Sequence, residues 1–288
     1  MNIRNFIGAD AEFADASHVI FGAPYDSTTS YRPGTRNGPA AVRSEAYGIE
    51  TYSPYQDKDL EDIKVCDDGD LELPFGAPEV PLQMIEDEAA KIFDAGKVPV
   101  MLGGEHLVTL GTVRAAVKRF KDLHIIHFDA HTDLRDDYLG NKLSHATVMR
   151  RCWELVGDGH IHQIGIRSGM REEFQLRDNK RICVGLSSDL SGRACRPATA
   201  APVYLTVDQD CLDPSEFPGT GTQEAGGLRF RELLDMLLDI FRRFNVIGFD
   251  LVELSPNLDP SGRSTALTCK LLRECLLASS SDGLQPVK

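Results

Sequence analysis

Three short clusters of metal-type ligands stand out in this 288-residue chain: His106 in LGGEH, Asp129, His131 and Asp133 in FDAHTD, and Asp208 and Asp210 in VDQDCLDP. Four carboxylates with two imidazoles make a hard, oxygen-dominated donor set. Structural zinc favours thiolates in a closed tetrahedron and Mg²⁺ seldom takes imidazole, so Mn²⁺ suits the set best. Two ions about 3.5 to 4 Å apart can share a carboxylate and a water, and the shared water then loses a proton near neutral pH. In a loop leaving a strand, alternate residues can face the same way, so Asp129, His131 and Asp133 can enter one cleft, as can Asp208 and Asp210.

Charge arithmetic narrows the substrate. Four aspartates cancel two divalent ions, a bridging hydroxide leaves the cluster about one unit negative, and Glu253 in DLVE adds another. Such a pocket attracts cations. A guanidinium is planar, permanently charged and matched to a carboxylate in a bidentate fork. Its hydrolysis needs a strong nucleophile and a proton for the departing amine.

These ligands need a frame that brings positions about a hundred residues apart to one edge. Apolar, strand-like runs at 18–22, 63–67, 98–102, 123–128, 160–166, 181–185, 203–208 and 245–251 alternate with amphipathic segments, the pattern of a parallel α/β sheet covered by helices. Helical spacing predicts helices over 82–95, 107–120 and 228–244, the first stopping at Gly96 in a left-handed cap. Each ligand cluster follows directly on a predicted strand, and a further strand ends at Asp250 and Glu253. In open α/β sheets, sites lie beyond the carboxyl ends of the strands.

No linker, repeat or low-complexity run divides the chain, so residues 1–288 read as one domain, with 279–288 (SSSDGLQPVK) as a frayed tail. A net charge of -13 without a basic stripe argues against nucleic acid and anionic membrane as partners. No signal-like or membrane-length apolar segment is seen, and a cytoplasmic location is expected. The seven cysteines lack a CxxC pair and are expected to be reduced thiols.

The motifs GAPYDSTTSYRPGTRNGPAAVR (22–43), LGGEH, HFDAHTD, LSHATVMRR (143–151), VDQDCLDP and GFDLVELSP (248–256) span nearly the whole chain, which resembles the ureohydrolase family of arginases and agmatinases, closest to the agmatinase pattern. The resemblance implies a three-layer α/β/α fold with an eight-stranded parallel sheet and two Mn²⁺ per subunit. It implies hydrolysis of a guanidino compound to urea and an amine, and trimers or hexamers. Carried over, one ion would be held by His106, Asp129, Asp133 and Asp208, the other by Asp129, His131, Asp208 and Asp210. Asp133 would protonate the leaving amine, Glu253 would hold the guanidinium, and His145 would shuttle protons.

Departures from the arginase version are informative. Glu105 replaces an aspartate, Ala146 a glycine, and TQEAGG (222–227) a proline-containing stretch. The loop LRDDYLGNKL (134–143) lacks the polar residues with which arginases grip the α-amino and α-carboxylate groups. Agmatine, giving putrescine, is therefore the leading substrate, with guanidinobutyrate, guanidinopropionate and arginine as alternatives; Asp136 or Asp137 is offered for the distal ammonium. Three other readings compete: a two-metal phosphoesterase using Arg135, Arg150 or Arg151, a thiol hydrolase using Cys211, and a non-catalytic metal binder. Asp213 reads as a turn-former, and the 32–39 run (RPGTRNGP) as a shaped surface loop, or else as a wall of the mouth or a subunit contact. His127 shares a strand face with Asp129, Asp250 stays open between ligand support and a satisfied carboxylate, and His18, His124, His160 and His162 receive no role.

Overall fold

The computed structural model describes residues 5–179, 181–185 and 197–280. Its strands are β1 (His18–Ala23), β2 (Tyr52–Ser53), β3 (Lys58–Asp59), β4 (Val65–Asp70), β5 (Val98–Gly103), β6 (His124–Phe128), β7 (Ile161–Ile164), β8 (Cys183–Gly185), β9 (Pro202–Asp208) and β10 (Asn245–Val252). The helices are α1 (Gly38–Glu45), α2 (Glu79–Asp94), α3 (Thr109–Arg119), α4 (Val148–Val156), α5 (Arg171–Asp178), α6 (Phe230–Arg243) and α7 (Arg263–Ser279). Eight strands form one parallel sheet in the order β4-β1-β5-β10-β9-β6-β7-β8, and β2 pairs with β3 in a small hairpin.

Alternation along the strands builds two cores. Ile20, Leu102, Ile126, Leu205 and Phe249 pack against α1, α6 and α7 on one face, while Val19, Phe21, Met101, Ile125 and Tyr204 pack against α2, α3 and α4 on the other. Buried on both faces, the central strands read as nearly continuous apolar runs, while the edge strand β4 (VCDDGD) does not. In α6 the residues Leu233, Leu234, Leu237 and Ile240 are fully buried, each stabilising by roughly 1.5 to 3 kcal/mol. The Glu232 side chain accepts from the Arg229 N–H at 2.9 Å and satisfies an N-terminal donor of that helix. Helix α2 begins earlier than the expected residue 82, because Pro81 falls in its first turn, where no N–H is needed; Gly96 follows with φ 71°.

This topology puts the four ligand-bearing strands side by side. β5, β10, β9 and β6 are consecutive in the sheet, and Phe128 pairs with Val207 while Val252 pairs with Asp208. Asp129, Asp208 and Glu253 therefore leave three adjacent strands at the same carboxyl-end level, with about 4.8 Å between neighbours.

Three expectations need correcting. The segment 279–288 does not fray from its start: α7 runs to Ser279, whose Oγ lies 3.0 Å from His18 Nε2, and residues 281–288 lie outside the described residues. Within the 32–39 run, Thr35 is buried, and Gly38 and Pro39 open α1, where proline's missing N–H costs nothing. Cys183 is disulfide-bonded, so not all cysteines are free thiols, although Cys66, Cys152, Cys211, Cys269 and Cys275 are.

Candidate metal centre

After β5 the chain turns at Gly104, where a Cβ would lie 2.0 Å from the Tyr25 carbonyl oxygen, so only glycine allows this approach. Glu105 is fully buried and accepts from the Thr28 N–H (2.9 Å), the Thr28 hydroxyl (2.6 Å) and the Thr29 hydroxyl (3.1 Å), which pins the 26–30 loop beside the site. His106 follows, its N–H donating to Glu253 Oε1 at 2.7 Å. Asp133 and Glu253 both hold left-handed backbone conformations (φ 53° and 66°). Strain of about 1 to 3 kcal/mol at each position is typical of a site where a side chain must be re-aimed.

Hydrogen-bond logic fixes the His106 ring. Thr206 Oγ donates to Asp250 Oδ1 at 2.6 Å and so can only accept from His106 Nε2, 3.0 Å away. Nε2 therefore carries the proton. Nδ1 lies 3.1, 3.2 and 3.3 Å from carboxylate oxygens of Asp129, Asp133 and Asp208, yet it is buried with no hydrogen-bond partner. None of the three oxygens makes a hydrogen bond with Nδ1, although together they favour positive charge at the ring. A lone pair ringed by three carboxylates is complementary to a cation with several ligands.

The second half of the centre adjoins it. His131 Nδ1 lies 2.9 Å from Asp210 Oδ2 and 3.5 Å from Asp129 Oδ1. Ligand atoms of Asp129, His131 and Asp210 lie within 4.8 Å of one another. The Ala130 N–H holds Asp210 Oδ1 (3.0 Å), and the Asp210 N–H holds Asp208 Oδ1 (2.9 Å). His127 Nε2 donates to Asp129 Oδ2 at 2.7 Å, because the Gln163 amide nitrogen, tied to the Thr132 carbonyl, donates to His127 Nδ1 at 3.0 Å. His127 thus orients a bridging candidate, as outer-shell groups do in metal sites.

Burial pushes the Asp133 carboxyl up to about 7 and raises Asp208, Asp210 and Glu253 as well. Burial opposes charge on His131, but Asp129 and Asp210 outweigh it and push the imidazole up to about 12. Crowded carboxylates draw protons onto the imidazoles; divalent cations would neutralise the same charges.

The centre opens into a cavity of about 270 Å³ lined by Asp133, Asp208, Glu253 and His131, with His145, Ser30, Tyr138, Arg135 and Thr222 around them. This is room for a small molecule. His145 Nε2 lies 3.4 Å from Ser30 Oγ, its backbone N–H donates to Thr28 Oγ at 3.1 Å, and burial lowers its pKa to about 4. The positions offered for a distal ammonium are not in the lining: Asp136 pairs with Arg151 at 2.6 Å, and Asp137 caps the turn at Gly140. Of the arginines weighed for a phosphate clamp, only Arg135 lines the cavity, and its guanidinium lies over the Tyr138 ring. Cys211 is fully buried, and burial followed by Asp210 raises its pKa, the opposite of an activated thiol. Asp213 accepts from the N–H groups of Ser215, Gly226 and Gly227, a turn-forming role. Asp250 accepts from Thr206, Tyr204 and Thr109 and so stands behind His106.

Sequence reasoning missed Thr206, Gln163 and Arg167. Arg167 donates to carbonyls of Asp210 and Glu224 at 2.8 Å each and ties the third ligand loop to the 222–227 loop. Nothing local marks these residues, because their partners are distant in the chain.

A family model described as the arginase family matches residues 16–278. An agmatinase from Bacillus anthracis is 45% identical over 277 residues, covering 94% of this chain and 95% of that one. An N(1)-aminopropylagmatine ureohydrolase from Thermococcus kodakarensis is 36% identical, covering 89% and 88%. The crystal structure of agmatine ureohydrolase of Thermoplasma volcanium superposes with a TM-score of 0.87 at 33% identity, covering 97% of this chain and 95% of that one. With its sheet order, its ligand loops and these likenesses in agreement, the chain belongs to the arginase family.

Proposed function

We propose that this protein is a binuclear-manganese hydrolase that converts agmatine and water to putrescine and urea. The observation that carries the reading is the His106 Nδ1 lone pair, buried among three carboxylates, beside a second cluster of Asp129, His131 and Asp210. The family supports it, as do relatives named agmatinase at 45% identity. One ion would be held by His106, Asp129, Asp133 and Asp208 and the other by Asp129, His131, Asp208 and Asp210. When bound, the pair supplies an acidified water for attack on the guanidinium carbon.

The chain's own groups do the rest. Glu253, anchored through Oε1 by the His106 N–H, holds the guanidinium by charge-assisted hydrogen bonds. Asp133 lines the cavity beside it and delivers a proton to the leaving amine. His145 is kept neutral by burial and moves protons between Ser30 at the mouth and the interior. The substrate's tail meets Ser30, Tyr138 and Thr222 at the mouth, in place of the arginase-type grip. A single domain, a trimeric or hexameric assembly and a cytoplasmic location complete the proposal; no helix among the described residues is long and apolar enough to cross a membrane.

The test is urea release from a panel of agmatine, guanidinobutyrate, guanidinopropionate, aminopropylagmatine and arginine with added Mn²⁺. Agmatine is expected to give the highest kcat/KM. No urea from any member, or phosphate release from phosphate esters instead, would refute the proposal.

A further inference from the structure

At the opposite end of the sheet, where β6 and β7 begin, another ligand cluster is assembled. Ile125 pairs with Ile161 in the parallel ladder, so the preceding residues, His124 and His160, lie side by side on one face. Their rings stack with centroids 4.5 Å apart and planes 29° apart. Asp122, two residues before His124 and with φ 58°, brings Oδ1 to 3.0 Å from His160 Nε2. β6 spans five residues, so about 16 Å separates this cluster from the site at Asp129.

The protons are again decisive. His160 Nδ1 lies 3.0 Å from the Asp158 carbonyl, which only accepts, so Nδ1 carries the hydrogen. In the neutral ring Nε2 is then a bare lone pair facing a carboxylate at hydrogen-bond distance. The contact is closed either by a second ring proton, as an ion pair with Asp122, or by a metal ion held between the two acceptors. His124 Nδ1 is engaged with His162 Nε2 at 3.0 Å, which leaves its Nε2 for a ligand. The ligand atoms of Asp122, His124 and His160 lie within 4.8 Å of one another. The Asp158 carbonyl and His162 stand behind the two imidazoles in the orienting position that metal-bound histidines use.

We propose that Asp122, His124 and His160 form a second metal site, separate from the manganese pair, that takes one zinc-class ion. Two imidazoles, one carboxylate and a solvent-facing position make a nitrogen-rich set of the kind that suits Zn²⁺, Ni²⁺ or Cu²⁺. Mn²⁺ binds such a set most weakly of these ions, so the two sites sort metals by their donors. A bound ion would clasp the first residue of β6 to β7 and brace, from below, the strand that delivers Asp129.

The Mn²⁺-loaded enzyme is incubated with Zn²⁺, freed of loose ion by gel filtration and analysed by metal mass spectrometry beside His160→Ala and Asp122→Asn. The wild type is expected to retain about one zinc per chain more than either variant, while all three keep the same manganese content and rate of urea release. Any exchange of zinc into the manganese pair is common to the three proteins and cancels. Equal zinc in wild type and variants overturns the proposal, and Asp122→Asn alone decides if the alanine variant does not fold. With Co²⁺ in place of zinc, the wild type minus variant spectrum should carry the visible band of a four-coordinate ion; bound cobalt without that difference rules out these ligands.

Discussion

Thr206→Val separates the metal reading from a merely structural one. The substitution preserves shape in a fully buried position but deletes the oxygen that accepts from His106 Nε2 (3.0 Å) and donates to Asp250 (2.6 Å). Asp250 keeps the Tyr204 hydroxyl at 2.8 Å and the Thr109 hydroxyl at 3.0 Å, so it is not stranded. His106 loses the contact that sets its tautomer, and Nδ1 then competes for the proton. Loss of such an outer-shell partner typically weakens metal binding about 10- to 100-fold, or about 1.4 to 2.7 kcal/mol. Mn²⁺ titration of the metal-free protein, followed by calorimetry and by recovery of urea release, reads the shift directly. Full rate should return at high Mn²⁺, because the ligands themselves are intact. Mn²⁺ affinity unchanged within twofold would refute the claim that Thr206 prepares His106 for an ion.

Further outcomes follow from the same geometry. Asp129→Ala and His131→Ala should each lose bound manganese and urea release together, read by metal analysis and a urea assay; near-normal turnover in Asp129→Ala would remove the bridging assignment. His145→Ala should keep both ions and the melting temperature but lower kcat by about 10²-fold, the usual scale of a proton-transfer group. His18, buried at the start of β1 against Ser17 and Ser279, has its imidazole lowered by burial to about 4. Its unfolded pKa is near 6.5, so the stability it confers is fully present above that value and is lost as pH falls through the folded one. The total is about 3 kcal/mol, of which about 2 disappears between pH 7.5 and 5. Urea unfolding of wild type and His18→Gln should differ by about 2 kcal/mol in how much stability changes between pH 7.5 and 5, and equal pH dependence in the two would contradict it.

Most of the frame was legible because it obeys simple periodicities. Seven of the eight sheet strands lie on apolar runs anticipated from residue order, since buried strands cannot hide their hydrophobicity, whereas the edge strand β4 (VCDDGD) shares only residues 65–67 with its anticipated run and is half-exposed beyond them. Helix α6 was legible for the complementary reason, having one buried stripe and one charged one. Helix α7 was not: it is buried nearly all round, and its Arg273 and Glu274 look solvent-exposed in sequence but pair at 2.6 Å inside, with Glu274 also accepting from Ser53 and Gln56. The β2–β3 hairpin has only two residues per strand, too few to establish an alternation.

Residue order alone determined the donor set, since six ligands of fixed type follow directly on strands whose carboxyl ends share one edge. It also determined the sign of the pocket, since nearby carboxylates outnumber cations. Only tertiary structure decided that β10 and β9 insert between β5 and β6, bringing Glu253 and Asp208 between His106 and Asp129. It alone decided which nitrogen of His106 is bare, because that depends on Thr206 and Asp250, about a hundred and more residues away. Local sequence specifies which atoms a residue can offer; whether a proton or an ion must meet them depends on neighbours that folding supplies.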